Sequence, residues 1–346
     1  MLPAFIYHDV EAGDFERDLE FLEKNGYQTL TTDEYVRMKC DDEMEKAVLL
    51  TFDDARRNFF DVAFPLLQKY HAKATLFVPT RWVDPCQQDI TQMQQADLPE
   101  FMFMKWDELL VCARSELVDV QSHAHRHALI YSTSELIGFC TPELIAKHDI
   151  YDWPMRHEKG IDILGPPPLG TPIYESLPLL SAQHRLLEDD AASDQCRQYV
   201  TDNGGGAFFT RSQWPQELRS FHSKITTNAH WTKQSPEDFV ALVESEFNRS
   251  NECFCQHLGY LPQYLAYPWM LGSGQSLEKA AQSGIKAVFG VGIDYRRVRR
   301  HGGPLPAFGR TKCDWLRFMP GEGRTRLRDV VPGKIRSFFD NQHLAH

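Results

Sequence analysis

The sequence predicts an α/β fold built on a parallel sheet or barrel and interrupted by one long insertion. Three observations predict it. Short apolar runs alternate with helix-period segments from residue 4 to residue 122. The same alternation returns after residue 235, and between about Ala128 and His230 it breaks down into proline- and glycine-rich stretches.

"AFIYHDV" reads as the first strand, and "DFERDLEFLEKNG" as a helix whose Phe15, Leu19 and Leu22 share a face before Asn25 and Gly26 stop it. "YQTL" and a short helix lead to the strand "AVLLTF", the helix "RNFFDVAFPLLQKY" and the strand "KATLFV". "WDELLVCARS" and "ELVDVQS" supply a further helix and strand. Later, Ser235 caps a helix with Pro236 at its first position, Phe239, Val243, Phe247, Phe254 and Leu258 along one side, and Gly259 as its stop. "SLEKAAQSG" and "KAVFGV" restore the rhythm. The insertion, 128–230, reads as mainly helix and loop, with helices in "ASDQCRQYVTDNGGG" and "QWPQELRSF", carried on a single domain spanning 1–346 as a lid or groove wall.

Composition narrows the function. With 37 basic and 48 acidic side chains the formal charge is −11, which disfavours nucleic acid or an anionic membrane face as the partner. The start, "MLPAFIYHDV", has no signal-peptide pattern, and no run of about 18 apolar residues occurs, so a cytoplasmic protein without a membrane span is expected. Eight scattered cysteines read as reduced thiols; Cys253 and Cys255 fall two apart within a helix and do not face each other.

Side chains at the C-terminal ends of parallel strands converge on one face. Asp53 and Asp54 end "AVLLTF", and "SHAHRH" ends "ELVDVQS". Two adjacent carboxylates at the mouth of a core need a compensating cation or proton. A strand-end carboxylate with two histidines is a ligand set for a divalent metal with open positions. The competing explanation is helix capping by one aspartate with an ion pair to Arg56 or Arg57.

These residues resemble the polysaccharide deacetylases of carbohydrate esterase family four, the NodB-homology group, and the resemblance implies a distorted (β/α)7 barrel with one divalent metal. The family's T-F-D-D-G is matched by Thr51 to Ala55, with alanine for glycine, and its H-[S/T]-x-x-H by His123 to His127, with Ala124 for the hydroxyl residue. By that resemblance Asp53 is the general base, and Asp54, His123 and His127 hold the metal, zinc first, with nickel, cobalt or manganese as alternatives. His125 is not a ligand in this pattern. "LAYPWMLGS" resembles the segment that walls the groove and offers a backbone N–H to the oxyanion, with Tyr267, Pro268 and Trp269 as substrate-binding positions. Ala266 stands where many members carry an arginine that orients the base, and Met270 where a glycine usually follows.

Arg310, close behind the last strand, is the substitute candidate for that arginine, since an arginine fork can pin a carboxylate. The family's histidine-ending strand is absent near the C-terminus, but "AFIYHDV" has its shape, which resembles the circularly permuted poly-N-acetylglucosamine deacetylases. His8 therefore becomes the expected general acid, ahead of His301. Trp106, Trp269 and Trp315 are candidates for sugar stacking or for core. The expected activity is metal-dependent removal of an acetyl group from an N-acetylated carbohydrate. A catalytically degenerate glycan-binding homologue and a hydrolase of a small non-sugar amide are the alternatives.

Overall fold

In the first strand, β1 (Ala4–Tyr7), all four apolar residues are buried. The computed structural model describes residues 2–38, 46–83, 102–188, 190–226, 231–290 and 304–325; Cys40, Cys86 and His301 lie outside them. The chain divides into two units, one of Met1–Val78, Phe101–Gln121 and Gly309–His346, the other of Pro79–Glu100 and Ser122–Phe308.

In the first unit, α1 (Ala12–Lys24) buries Phe15, Leu19 and Leu22, as their spacing requires, and also Asp18 and Phe21. Gly26 ends it with φ +67°. Next come β2 (Gln28–Leu30), α2 (Thr32–Met38) and β3 (Ala47–Phe52), whose six residues are all buried, the continuous apolar run expected of a strand covered on both faces. A five-residue π-helical turn, Phe59–Ala63, runs into α3 (Phe64–Lys69), followed by β4 (Ala74–Val78), α4 (Trp106–Arg114) and β5 (Val118–Ser122). β3 pairs in parallel with β1 (Tyr7 opposite Phe52), with β2, and with β4 (Phe52 opposite Leu76); β5 lies beside β4. The rings of Tyr7, Phe15, Phe52 and Phe59 pack with centroids 4.9–5.4 Å apart, directly below the strand ends that carry His8 and Asp53.

The second unit holds β6 (Leu129–Phe139), α5 (Pro142–Lys147), β7 (Arg156–Glu158), β8 (Ile161–Ile163), β9 (Pro172–Pro178), β10 (Leu186–Leu187), α6 (Asp190–Asp202), α7 (Trp214–Ile225), β11 (Thr232–Lys233), α8 (Pro236–Leu258), β12 (Tyr264–Ala266), α9 (Gly274–Gln282), β13 (Ala287–Phe289) and β14 (Ala307–Phe308). The segment 128–230 contains the expected helices and, in addition, antiparallel strands: β6 pairs β9, β7 pairs β8, and β10 pairs β11 just beyond it. Phe139, Cys196, Val200, Phe208 and Leu218 form its own core. β12, β13 and β14 pair in parallel, and Leu265 of β12 pairs with Ser122 at the end of β5. In α8 the Ser235 hydroxyl accepts from Asp238 N, and Gly259 (φ +79°) terminates the helix. The final strand, β15 (Thr311–Lys312), belongs to the first unit and pairs in parallel with β1.

Among the described residues, no helix is long and apolar enough to cross a membrane, and no disulfide joins the described cysteines.

Candidate functional site

Asp53 follows β3 directly, and its N–H donates to Tyr7 O (3.1 Å), extending the β1–β3 ladder by one residue. Its carboxylate receives both terminal nitrogens of Arg310, Nη1 to Oδ1 at 2.6 Å and Nη2 to Oδ2 at 2.8 Å. Arg310 sits just ahead of β15, so the pairing of β15 with β1 brings it here. Its side chain is fully buried, with Nη1 also on Thr51 Oγ1 (3.2 Å) and the guanidinium over the Phe77 ring. A planar fork that meets a carboxylate edge-on fixes the plane of the acid as well as its place.

Asp54 (φ +74°) and Ala55 (φ +49°) are both in the left-handed region, and both are buried. Such backbone costs about 1–3 kcal/mol per non-glycine residue and persists only where its surroundings hold it. Here Ala55 O accepts from Met104 N (2.9 Å). Arg56 Nε lies 3.9 Å from Asp54 Oδ2. That pair is the ion-pair half of the competing explanation.

His8 is exposed, one residue beyond β1. The loop it opens is held by Asn58, whose Oδ1 accepts from Val10 N (2.7 Å) and whose Nδ2 donates to Val10 O (3.1 Å).

His123 is almost wholly buried, with Nδ1 2.7 Å from Ala266 O. A carbonyl only accepts, so the hydrogen of the neutral ring sits on Nδ1 and Nε2 presents its lone pair, the arrangement usual for a metal-binding histidine. Thus Ala266, which stands where the family pattern has an arginine, serves through its carbonyl. The His127 ring lies against Tyr151 (centroids 4.0 Å) and Trp269 (4.1 Å), with the His123 ring 5.0 Å away. His125 turns to Thr80 instead, Nδ1 to Oγ1 at 2.9 Å; burial pushes its pKa well down, with Arg126, Arg81 and Arg249 adding to the effect.

Of the three expected substrate-binding residues, Tyr267 is buried under the segment, its N–H donating to Phe289 O (2.9 Å) in continuation of the β12–β13 ladder. Pro268 has no N–H. The backbone N–H available for an oxyanion in this triplet is therefore that of Trp269, which has φ +51° and a half-buried side chain. Trp106 is core, and Trp315 is 41% exposed.

Asp54, His123 and His127 form a group that could hold a metal ion: one ligand atom from each lies within 4.8 Å of the others, and all three residues are buried. One carboxylate oxygen and two imidazole nitrogens fit zinc or a similar first-row ion with open positions.

Residues 41–148 match the family model of the polysaccharide deacetylases. That segment resembles a polysaccharide deacetylase domain. The chain is 40% identical over 87 residues to YxkH of Bacillus subtilis (strain 168), provisionally named a polysaccharide deacetylase; the alignment covers 22% of this chain and 31% of the relative. It is 28% identical over 119 residues to the poly-beta-1,6-N-acetyl-D-glucosamine N-deacetylase of Escherichia coli (strain K12), covering 34% of this chain and 18% of that one. The matches thus span less than a third of either curated relative (31% and 18%). The solved structure of a de-N-acetylase from Aggregatibacter actinomycetemcomitans matches 89% of this chain and 93% of its own, with a TM-score of 0.55 and 16% identity. The fold class is therefore the parallel-stranded NodB type.

Besides Asn58, two contributors were not anticipated from sequence. Tyr151, from the insertion, packs on His127, and nothing in its local sequence marks it. Glu246 accepts from the backbone N–H groups of His125 and Arg126. Its signal was present: it falls in register with the buried stripe of α8, where a charged residue has no packing reason to be.

Proposed function

We propose that this chain removes an N-acetyl group from an amino sugar of a polysaccharide or its precursor, using one divalent ion, zinc first, held by Asp54, His123 and His127. The observation that carries the reading is the buried oxygen–nitrogen–nitrogen set within 4.8 Å. Bound there, the ion would polarise the amide carbonyl and acidify a water. Asp53 takes the water proton: each carboxylate oxygen has a second lone pair, so Arg310 fixes its plane and leaves it able to accept. The N–H of Trp269 donates to the developing oxyanion, a contribution worth about 3–4 kcal/mol per donor. His8, which follows the residue whose carbonyl accepts from Asp53 N, delivers a proton to the departing nitrogen, giving acetate and a free amine.

The Trp269 ring offers a face for a sugar, with Pro268 and Tyr267 shaping the segment behind it. The 128–230 segment acts as a groove wall at the histidine end, which the packing of Tyr151 on His127 supports. The sequence departures are compatible with turnover. Ala55 and Met270 (φ +49° and +60°) keep the left-handed backbone that glycine would supply.

Acetate release from N-acetylglucosamine oligomers and bound-metal analysis test the assignment. The expected result is that Asp53→Asn keeps its metal and loses turnover, whereas His123→Ala loses both. Full activity in Asp53→Asn would sink the base assignment, and unchanged metal content in His123→Ala the ligand set.

A further inference from the structure

α8 buries Phe239, Val243, Phe247 and Phe254, and between them two polar residues, Glu246 and Ser250, one turn apart on the same face. Both reach the loop that carries the two histidines. Ser250 Oγ lies 2.9 Å from Ser122 Oγ, which in turn accepts from Ala124 N (3.0 Å). Glu246 does more: Oε2 accepts from His125 N (3.1 Å) and Arg126 N (2.8 Å), and Oε1 accepts from Arg126 Nη1 (2.6 Å). The carboxylate is 1% exposed, so these bonds have little competition from water.

The loop needs such a hold. Within five residues, Ala124 (φ +64°) and His127 (φ +50°) both take left-handed backbone, and neither is glycine. That double turn swings the residues between them, His125 and Arg126, towards α8 with their N–H groups exposed to the helix, while His123 and His127 share the other side with ring centroids 5.0 Å apart. A buried acid that accepts two consecutive amides stabilises that conformation over any extended alternative, in which the amides would diverge.

We infer that Glu246 is a positioning residue for the metal centre: its carboxylate locks the His123–His127 loop in the one backbone conformation that lets both imidazoles ligate the same ion. This rests on the proposed ligand set of Asp54, His123 and His127. Glu246 touches neither ion nor substrate; it acts through backbone amides, and Arg126 neutralises it.

The test uses the full chain loaded with cobalt(II), whose visible spectrum reports ligand number and geometry, together with zinc affinity by chelator competition. Glu246→Ala and Glu246→Gln are compared with Glu244→Gln on the same helix, which removes only a half-exposed ion pair to Lys279 of α9. The expected result is a zinc affinity about 10–100-fold weaker in the Glu246 variants, the range found when the supports of metal ligands are removed. An altered cobalt spectrum and an intact cooperative unfolding transition should accompany it, with Glu244→Gln unchanged. Wild-type affinity and spectrum in a folded Glu246→Ala protein would overturn the inference.

Should both variants fail to fold, amide exchange in the wild type decides. The N–H groups of His125 and Arg126 are expected to be protected to the level of β5 even without metal, and exchange at the rate of an open loop overturns the inference. Failure of the ligand set itself looks different: wild-type protein would bind neither ion, or His123→Ala would bind both as well as wild type.

Discussion

Gly272 lies flat against the ring of Tyr267: a Cβ at residue 272 would stand 2.7 Å from Cζ and 2.8 Å from both Cε atoms. Tyr267 cannot yield easily, since its ring is fully buried and its hydroxyl is 3.3 Å from Ser276 Oγ. Gly272→Ala should therefore lower stability by about 1–3 kcal/mol, the usual cost of overpacking a core. Because Tyr267 carries Pro268 and Trp269, turnover should fall as well. Urea midpoints and acetate release on this variant check both, and a wild-type midpoint refutes the contact.

Arg310 offers a test of geometry against charge. Arg310→Lys retains a cation beside Asp53 and loses the fork, so turnover should drop about tenfold or more, given that misplacement by 1 Å costs roughly a hundredfold. Arg310→Met removes the buried cation and should cost about 3–5 kcal/mol of stability. Steady-state kinetics on the first variant and thermal unfolding of the second separate the two effects. Unchanged turnover in Arg310→Lys would show that the plane of the Asp53 carboxylate does not matter.

Asn58 tests the acid without touching it. Asn58→Ala deletes both hydrogen bonds to Val10 and frees the loop that begins at His8. Turnover should fall while zinc content stays the same, and the more drastic His8→Ala should follow the same pattern with a larger loss. Metal loss in His8→Ala would instead make His8 a ligand.

Stability should depend on pH through Glu188 in the insertion. Burial raises its pKa to about 7, against hydrogen bonds from Tyr174 (2.6 Å) and Ser193 (2.8 Å) that pull the other way. The native state thus binds a proton that the unfolded chain releases near the ordinary glutamate value of 4.5. That stabilisation is complete below about 4.5 and is lost as pH rises through about 7, amounting to roughly 3 kcal/mol at 1.36 kcal/mol per pH unit. Glu188→Gln, which cannot titrate, should flatten this slope in urea midpoints measured from pH 5 to 8. An identical slope in the variant would place the titration elsewhere.

The parts legible in sequence were those in which one local pattern decides the outcome. β1 and β3 are buried along their whole length and apolar but for Thr51, and α8 announces itself by Ser235, Pro236 and Gly259. β6 was hidden because its middle, Ser132 to Glu135, is polar and its pairing with β9 shifts register on either side of Leu136, which breaks the alternation that identifies a strand. In the site, the aspartates, the histidine pair and Arg310 stood out as residue types at strand ends. The supports did not, since Asn58, Tyr151 and Glu246 work through contacts across long sequence separations: 48 residues for Asn58 and 121 for Glu246 to His125. Which N–H of the Tyr267–Trp269 segment is open was not legible for a related reason, as only the partner strand shows that of Tyr267 engaged.

The partnership of Asp53 and Arg310 also spans 257 residues of chain. On a ribosome adding about 5–20 residues per second, roughly 13–50 s separate the emergence of the acid from that of its guanidinium. Throughout that interval the nascent first unit lacks its edge strand and the buried cation at its centre, so it must wait, half-assembled, for its last strand.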